Sequence, residues 1–123
     1  MLLVKIYEYL LCSHLDCAAR AHTNDMVDRN FLGHTGSDGS NVQDRVLRCG
    51  YTQPIITGEN VAAGNPNVPE TLDALMQSPG HRANILDPRF TMLGFFYRFE
   101  SDIRYRHYWT QVFSNSNRES CSE

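Results

Sequence analysis

The stretch from Ser78 to Tyr97, "SPGHRANILDPRFTMLGFFY", changes its period halfway along, and that change decides the fold. Its first half reads as a short helix, with Ser78 at the N-cap, Pro79 at the first helical position, and Asp87 and Pro88 as the stop. From Met92 on, "MLGFFYRF" is aromatic and apolar, as a strand would be. A second such run, "YRHYWTQVF" from Tyr105, follows the polar "ESDI", so the two predict a hairpin or adjacent antiparallel strands. In the second run Tyr105, His107, Trp109, Gln111 and Phe113 would share one face, with Arg104 and Arg106 on a solvated one.

Upstream the period is helical. Ser13 and Asp16 have the capping-box pattern, and Leu15, Ala18, Ala19, His22 and Met26 recur at helical spacing, which predicts a helix over 13–30. "LGHTGSDGS" lacks apolar periodicity and reads as a loop. Ser40 and Gln43 repeat the capping pattern before a second short helix, which Gly50 would end in a left-handed conformation. The stretch "YTQPIITGENVAAG" carries a β-branched patch and then glycines. Pro69 and Glu70 open a third helix whose apolar face is Leu72, Leu75 and Met76. Helices first and strands last, without repeats or linkers, predict an α+β domain whose helices cover an antiparallel sheet. The closing "SNSNRESCSE" is polar throughout and is expected to fray.

The 123 residues suffice for one domain with one core. Eleven basic and fourteen acidic side chains are mixed along the chain, and no basic stripe is present to meet phosphates, so nucleic acid is not an expected partner. No window reaches the ~18 apolar residues of a membrane span, which argues against an integral membrane protein. The opening "MLLVKIYEYLLC" is greasy, but Lys5 and Glu8 interrupt it and no small-residue cleavage site follows, so it makes a poor signal peptide. Cys12, Cys17, Cys49 and Cys121 lack paired metal spacing, which excludes a zinc finger. Cys17 and Cys49 suit small buried positions, and disulfides are open to three connectivities.

Six motifs, "AHTNDM", "FLGHTGSDGS", "DRVLRCGY", "GENVAAG", "SPGHRANILDPRFTMLGFFY" and "YWTQVF", stand in an order and at separations that resemble the CAP superfamily. That group holds the cysteine-rich secretory, antigen-five and pathogenesis-related proteins, and the chain is most similar to its compact bacterial SCP-like branch. The resemblance spans about Leu15 to Ser114. It implies an α-β-α sandwich with a central antiparallel sheet between helices, over 13–114, flanked by an N-terminal extension or cropped first helix (1–12) and a polar tail (115–123). It also implies an extracellular location, and lipid, sterol or protein partners of the kind several branches bind.

The resemblance further implies that His34, Glu59 and His81 converge in one cleft. Ser78 falls where the family carries a second acid, Leu75 where it carries a tryptophan, and the family's "N-x-x-R" is not found in "MLLVKIYEYL". Two imidazoles and a carboxylate are a plausible three-ligand set for zinc or a similar divalent ion. At a helix N-terminus the field would hold His81 neutral, while an ionised Glu59 would push the other way. Three readings follow. The first is a non-enzymatic binding protein whose cleft takes a metal or a small lipid-like ligand. The second is a metal-assisted peptidase or esterase using the same three residues, weakened by the missing second acid and by the use of the Ser78 hydroxyl as a helix cap. The third is an interaction module in which His34, Glu59 and His81 are a purely structural polar cluster.

Overall fold

The computed structural model describes residues 8–121. Residues 1–7, and with them most of the expected N-terminal extension, lie outside the described residues, as do 122–123. In chain order the elements are β1 (Leu10–Leu11), α1 (Ser13–Arg29), α2 (Val42–Arg48), β2 (Ile56–Ala63), α3 (Val68–Gln77), α4 (Pro79–Leu86), β3 (Met92–Phe99) and β4 (His107–Asn115). The strands form one sheet in the order β1-β3-β4-β2. β4 is central and antiparallel to both neighbours, with Val112 opposite Glu59 on one side and Gly94 on the other. The two residues of β1 pair in parallel with Met92 and Leu93, the one departure from an antiparallel sheet.

Strand alternation builds the layers. Met92 and Val112 point to one side, where they pack with Leu15, Ala18 and Ala19 of α1 and Val46 of α2. Leu93 and Phe113 point to the other, against Leu75 of α3 and Ile85 of α4. The sheet therefore lies between two helical layers, the sandwich that the motifs imply. The helix α1 crosses β3 so closely that a Cβ on Gly94 would sit 2.2 Å from the Leu15 carbonyl carbon. On the opposite face, between the sheet and α3, an apolar cavity of about 280 Å³ is lined by Leu72, Leu75, Leu93, Trp109 and Phe113, among others.

The disulfides are settled: Cys17–Cys49 ties α1 to the end of α2, and Cys12–Cys121 ties the start of α1 to the C-terminal segment. In the chain-entropy picture loops of 32 and 109 residues remove roughly 4 and 5 kcal/mol of unfolded-state freedom.

Several local expectations are corrected. The fraying tail is instead held down through Cys121, because the disulfide and a buried Glu119 replace the apolar anchor that its composition lacks. Asp16 does not close a capping box on Ser13; its carboxylate accepts the Phe95 N–H at 3.0 Å, and Ser13 Oγ is buried without a partner. The second capping box exists one residue later, between Asn41 and Asp44. The β-branched patch forms a full strand, β2. Arg104, Tyr105 and Arg106 leave the strand for a turn, since Arg106 is left-handed at φ 66° and its carbonyl accepts Glu100 N–H. Gly50, at φ 88°, does end α2 as expected.

Candidate functional site

The site begins with the strand period in β2. Adjacent residues of a strand face opposite sides, so Glu59 points to the α1/α2 layer and Asn60 to the α3/α4 layer. Because β2 is the outer strand, α4 can run along its edge. Asn60 Nδ2 donates to the His81 carbonyl at 3.1 Å, and Asn84 Nδ2 donates to the Glu59 carbonyl at 3.2 Å and to Asn60 Oδ1 at 2.9 Å. These bonds hold α4, with His81 in its first turn, against the edge of β2.

The Glu59 carboxylate is 2 % exposed and both its oxygens are engaged. His34 Nδ1–H donates to Oε1 at 2.9 Å, and Arg45 donates to Oε2 at 2.8 Å. Arg45, itself buried, also donates to the carbonyls of His34 and Ser40 at 3.0 and 2.9 Å, which fixes the loop carrying His34. His22, fully buried on α1, donates Nε2–H to the Gly33 carbonyl at 2.6 Å and lies 3.9 Å from Glu59 Oε1. Burial pushes the His22 pKa below its ordinary value, against the pull of Glu59. An imidazolium there is disfavoured, in keeping with Nδ1, which has no hydrogen-bond partner. The His81 pKa is also pushed below its ordinary value, first by burial and then by the neighbouring His34.

His34 and Glu59 are thus brought into direct contact, and His81 is close enough to His34 to interact with it electrostatically. Ser78 ends α3 and starts α4, but its side chain makes no cap bond, contrary to expectation, and no hydrogen bond joins it to His34 or Glu59. Two members escaped the sequence reading, Arg45 and His22. A signal existed for the first: on "VQDRVLR" Arg45 falls within one helical turn of both Val42 and Val46, so it shares their inward face.

The donor set tests the three-ligand expectation. The ligand atoms of His34, Glu59 and His81 are not all within 4.8 Å of one another, whereas zinc ligands near 2 Å from the ion lie within about 4 Å of each other. Glu59 stands behind His34, bonded to Nδ1, which leaves Nε2 on a side chain that is 61 % exposed. A carboxylate on the far nitrogen is the partner that a metal-ligating histidine requires, because it fixes the tautomer and the ring orientation. Glu59 is therefore placed to support His34 and not to act beside His34 and His81 as a third direct ligand.

Comparisons with known proteins agree with this architecture. The profile of the cysteine-rich secretory protein family, CAP, matches residues 13–113. The uncharacterized protein YkwD of Bacillus subtilis is 36% identical over 99 residues, and the uncharacterized membrane protein YlbC of the same organism is 30% identical over 76. Those stretches take up 80% and 62% of this chain but only 36% and 22% of the two relatives, so the chain spans about a third or less of their length. Among solved structures, an extracellular protein with a SCP domain from Bacillus anthracis superposes with a TM-score of 0.73 at 28% identity, over 88% of this chain and 34% of that one. An outer surface protein of Borrelia burgdorferi shares the fold at a TM-score of 0.79 and 15% identity, over 89% and 79%. With the six motifs in register and the sandwich in place, the chain belongs to the cysteine-rich secretory protein family, in its compact bacterial CAP branch.

Proposed function

We propose that this CAP domain is a secreted, non-enzymatic binding protein whose cleft takes a divalent cation such as zinc through Nε2 of His34 and an imidazole nitrogen of His81. The double engagement of Glu59 carries this reading. A general base must present a free oxygen to the water or hydroxyl it activates, and Glu59 gives one oxygen to His34 and the other to Arg45. What remains for it is to orient His34, which serves binding. Burial lowers the His81 pKa, which favours the unprotonated imidazole that a ligand needs. Two disulfides support export, since such bridges persist in oxidising compartments.

Calorimetry on the oxidised protein tests the reading. The wild type is expected to bind one zinc ion, His34→Ala with His81→Ala none, and Glu59→Gln the ion at least tenfold more weakly. No binding by the wild type would leave the structural cluster of an interaction module. Hydrolysis of a peptide library that vanishes in the double variant would instead favour the metal-assisted hydrolase.

A second reading concerns the cavity beside α3. Its lining is apolar except for Asn60, Thr71, Thr110 and Gln111, the composition of a small-ligand pocket. At about 280 Å³ it falls just under the ~300 Å³ where drug-sized pockets begin, which suits a short acyl chain better than a whole sterol. Trp109, the single tryptophan, lines it. Addition of a medium-chain fatty acid should therefore shift or quench its emission in a saturable way, and an unchanged spectrum removes the reading.

A further inference from the structure

A second group of metal-ligating side chains lies where the C-terminal segment returns to the start of α1. Glu119, with a side chain 2 % exposed, accepts His14 Nδ1–H at 3.0 Å and Thr52 N–H at 2.8 Å through Oε1, and Cys121 N–H at 2.7 Å through Oε2. Beside it runs the Cys12–Cys121 disulfide. The ligand atoms of Cys12, Glu119 and Cys121 all lie within 4.8 Å of one another, the one such trio found among the described residues, and His14 sits on the same carboxylate. As long as the sulfurs are bonded to each other they cannot act as thiolate ligands.

We propose that reduction of this disulfide converts the clasp into a zinc site with Cys12, Cys121 and Glu119 as its protein ligands, a water in the fourth position, and His14 as the hydrogen-bonded support of Glu119. Tetrahedral zinc holds thiolate sulfur near 2.3 Å and nitrogen or oxygen near 2.0–2.2 Å, so its ligand atoms stand roughly 3.3–3.8 Å apart. A trio already within 4.8 Å reaches that spacing through side-chain movement alone. Softness points to the same ion, since two thiolates with one carboxylate select zinc over calcium or magnesium. The Thr52 and Cys121 N–H groups hold the Glu119 carboxylate from behind, as supporting bonds do in metal sites. His14, 29 % exposed, holds the same carboxylate from the solvent side.

The step balances with a dithiol as reductant. Two electrons and two protons pass from the dithiol to the Cys12–Cys121 bond, giving two thiols and an oxidised, disulfide-form reductant. Zinc then displaces both thiol protons and binds the thiolates. The clasp is thus held covalently when oxidised and by metal when reduced, so the C-terminal segment stays attached to α1 in both states.

Cobalt reports thiolate ligation directly, because only sulfur gives an intense thiolate-to-metal charge-transfer band in the near ultraviolet. The His34→Ala with His81→Ala variant serves as the background, so the cleft contributes nothing and the two metal proposals stand or fall separately. After reduction with a phosphine, cobalt is expected to raise the band in this background and in its Cys17→Ser with Cys49→Ser derivative. It should raise none in the Cys12→Ser with Cys121→Ser derivative or in the oxidised protein, and Glu119→Gln should weaken binding at least tenfold. Absence of the band in folded, reduced protein, or a band that follows Cys17 and Cys49 instead, would overturn the proposal. Should reduction alone unfold the chain, zinc is expected to restore a cooperative melting transition to the reduced background variant; failure to do so also overturns it.

Discussion

Arg45→Met is expected to destabilise the fold by about 3–5 kcal/mol and to loosen the cleft at the same time. The substitution keeps most of the side-chain volume, so the loss is not a packing loss. It leaves the Glu59 carboxylate buried and without its 2.8 Å partner, and it removes the donors that hold the carbonyls of His34 and Ser40. An uncompensated buried charge is what makes breaking such a pair costly, whereas replacing both members by apolar groups is often neutral. Urea unfolding of Arg45→Met and of Arg45→Met with Glu59→Leu separates the two effects. The double variant should recover most of the lost stability while failing to bind zinc at the cleft. Equal loss in both would mean that the pair contributes packing and not charge compensation.

Gly94→Val is expected to prevent folding, or to cost well over the roughly 1–3 kcal/mol typical of overpacking. The atoms in the way are backbone: a Cβ at this position meets the Leu15 carbonyl carbon at 2.2 Å and the Asp16 nitrogen at 2.3 Å. Neither can rotate aside, so α1 would have to lift from β3, taking Leu15, Ala18 and Ala19 out of the core. Gly80→Ala is the control. It lies on α4 with nothing within 4 Å of the added carbon, and alanine there should be neutral or stabilising by up to about 1 kcal/mol. Urea midpoints of the two variants would contradict this packing if they moved together.

The layers were legible in the sequence because period is a backbone property. The 3.6 repeat through Leu15, Ala18, His22 and Met26, and the apolar runs after Met92, survive into α1, β3 and β4. What sequence could not supply was choice among near-equal local partners. Ser40 and Asn41 are both good caps, and the structure uses Asn41. Asp16 could have closed on Ser13 but met the Phe95 N–H from a strand 79 residues away. The polar C-terminal segment misled for a similar reason, since the disulfide and the bonds to Glu119 are long-range and leave no compositional trace. At the site, the pairing of His34 with Glu59 came from family resemblance and not from spacing. Arg45 was passed over because arginine on a short helix usually faces water, although its position near Val42 and Val46 marked it as inward.

The cleft is tested most directly by a crystal of the oxidised protein grown with zinc, with diffraction recorded on both sides of the zinc absorption edge. The anomalous peak is expected about 2.0–2.1 Å from Nε2 of His34 and from a ring nitrogen of His81, with Glu59 still bonded to His34 Nδ1 and outside the coordination sphere. A peak bound directly by Glu59, or none at the cleft in fully zinc-loaded crystals, would contradict a two-histidine binding site supported from behind by a carboxylate.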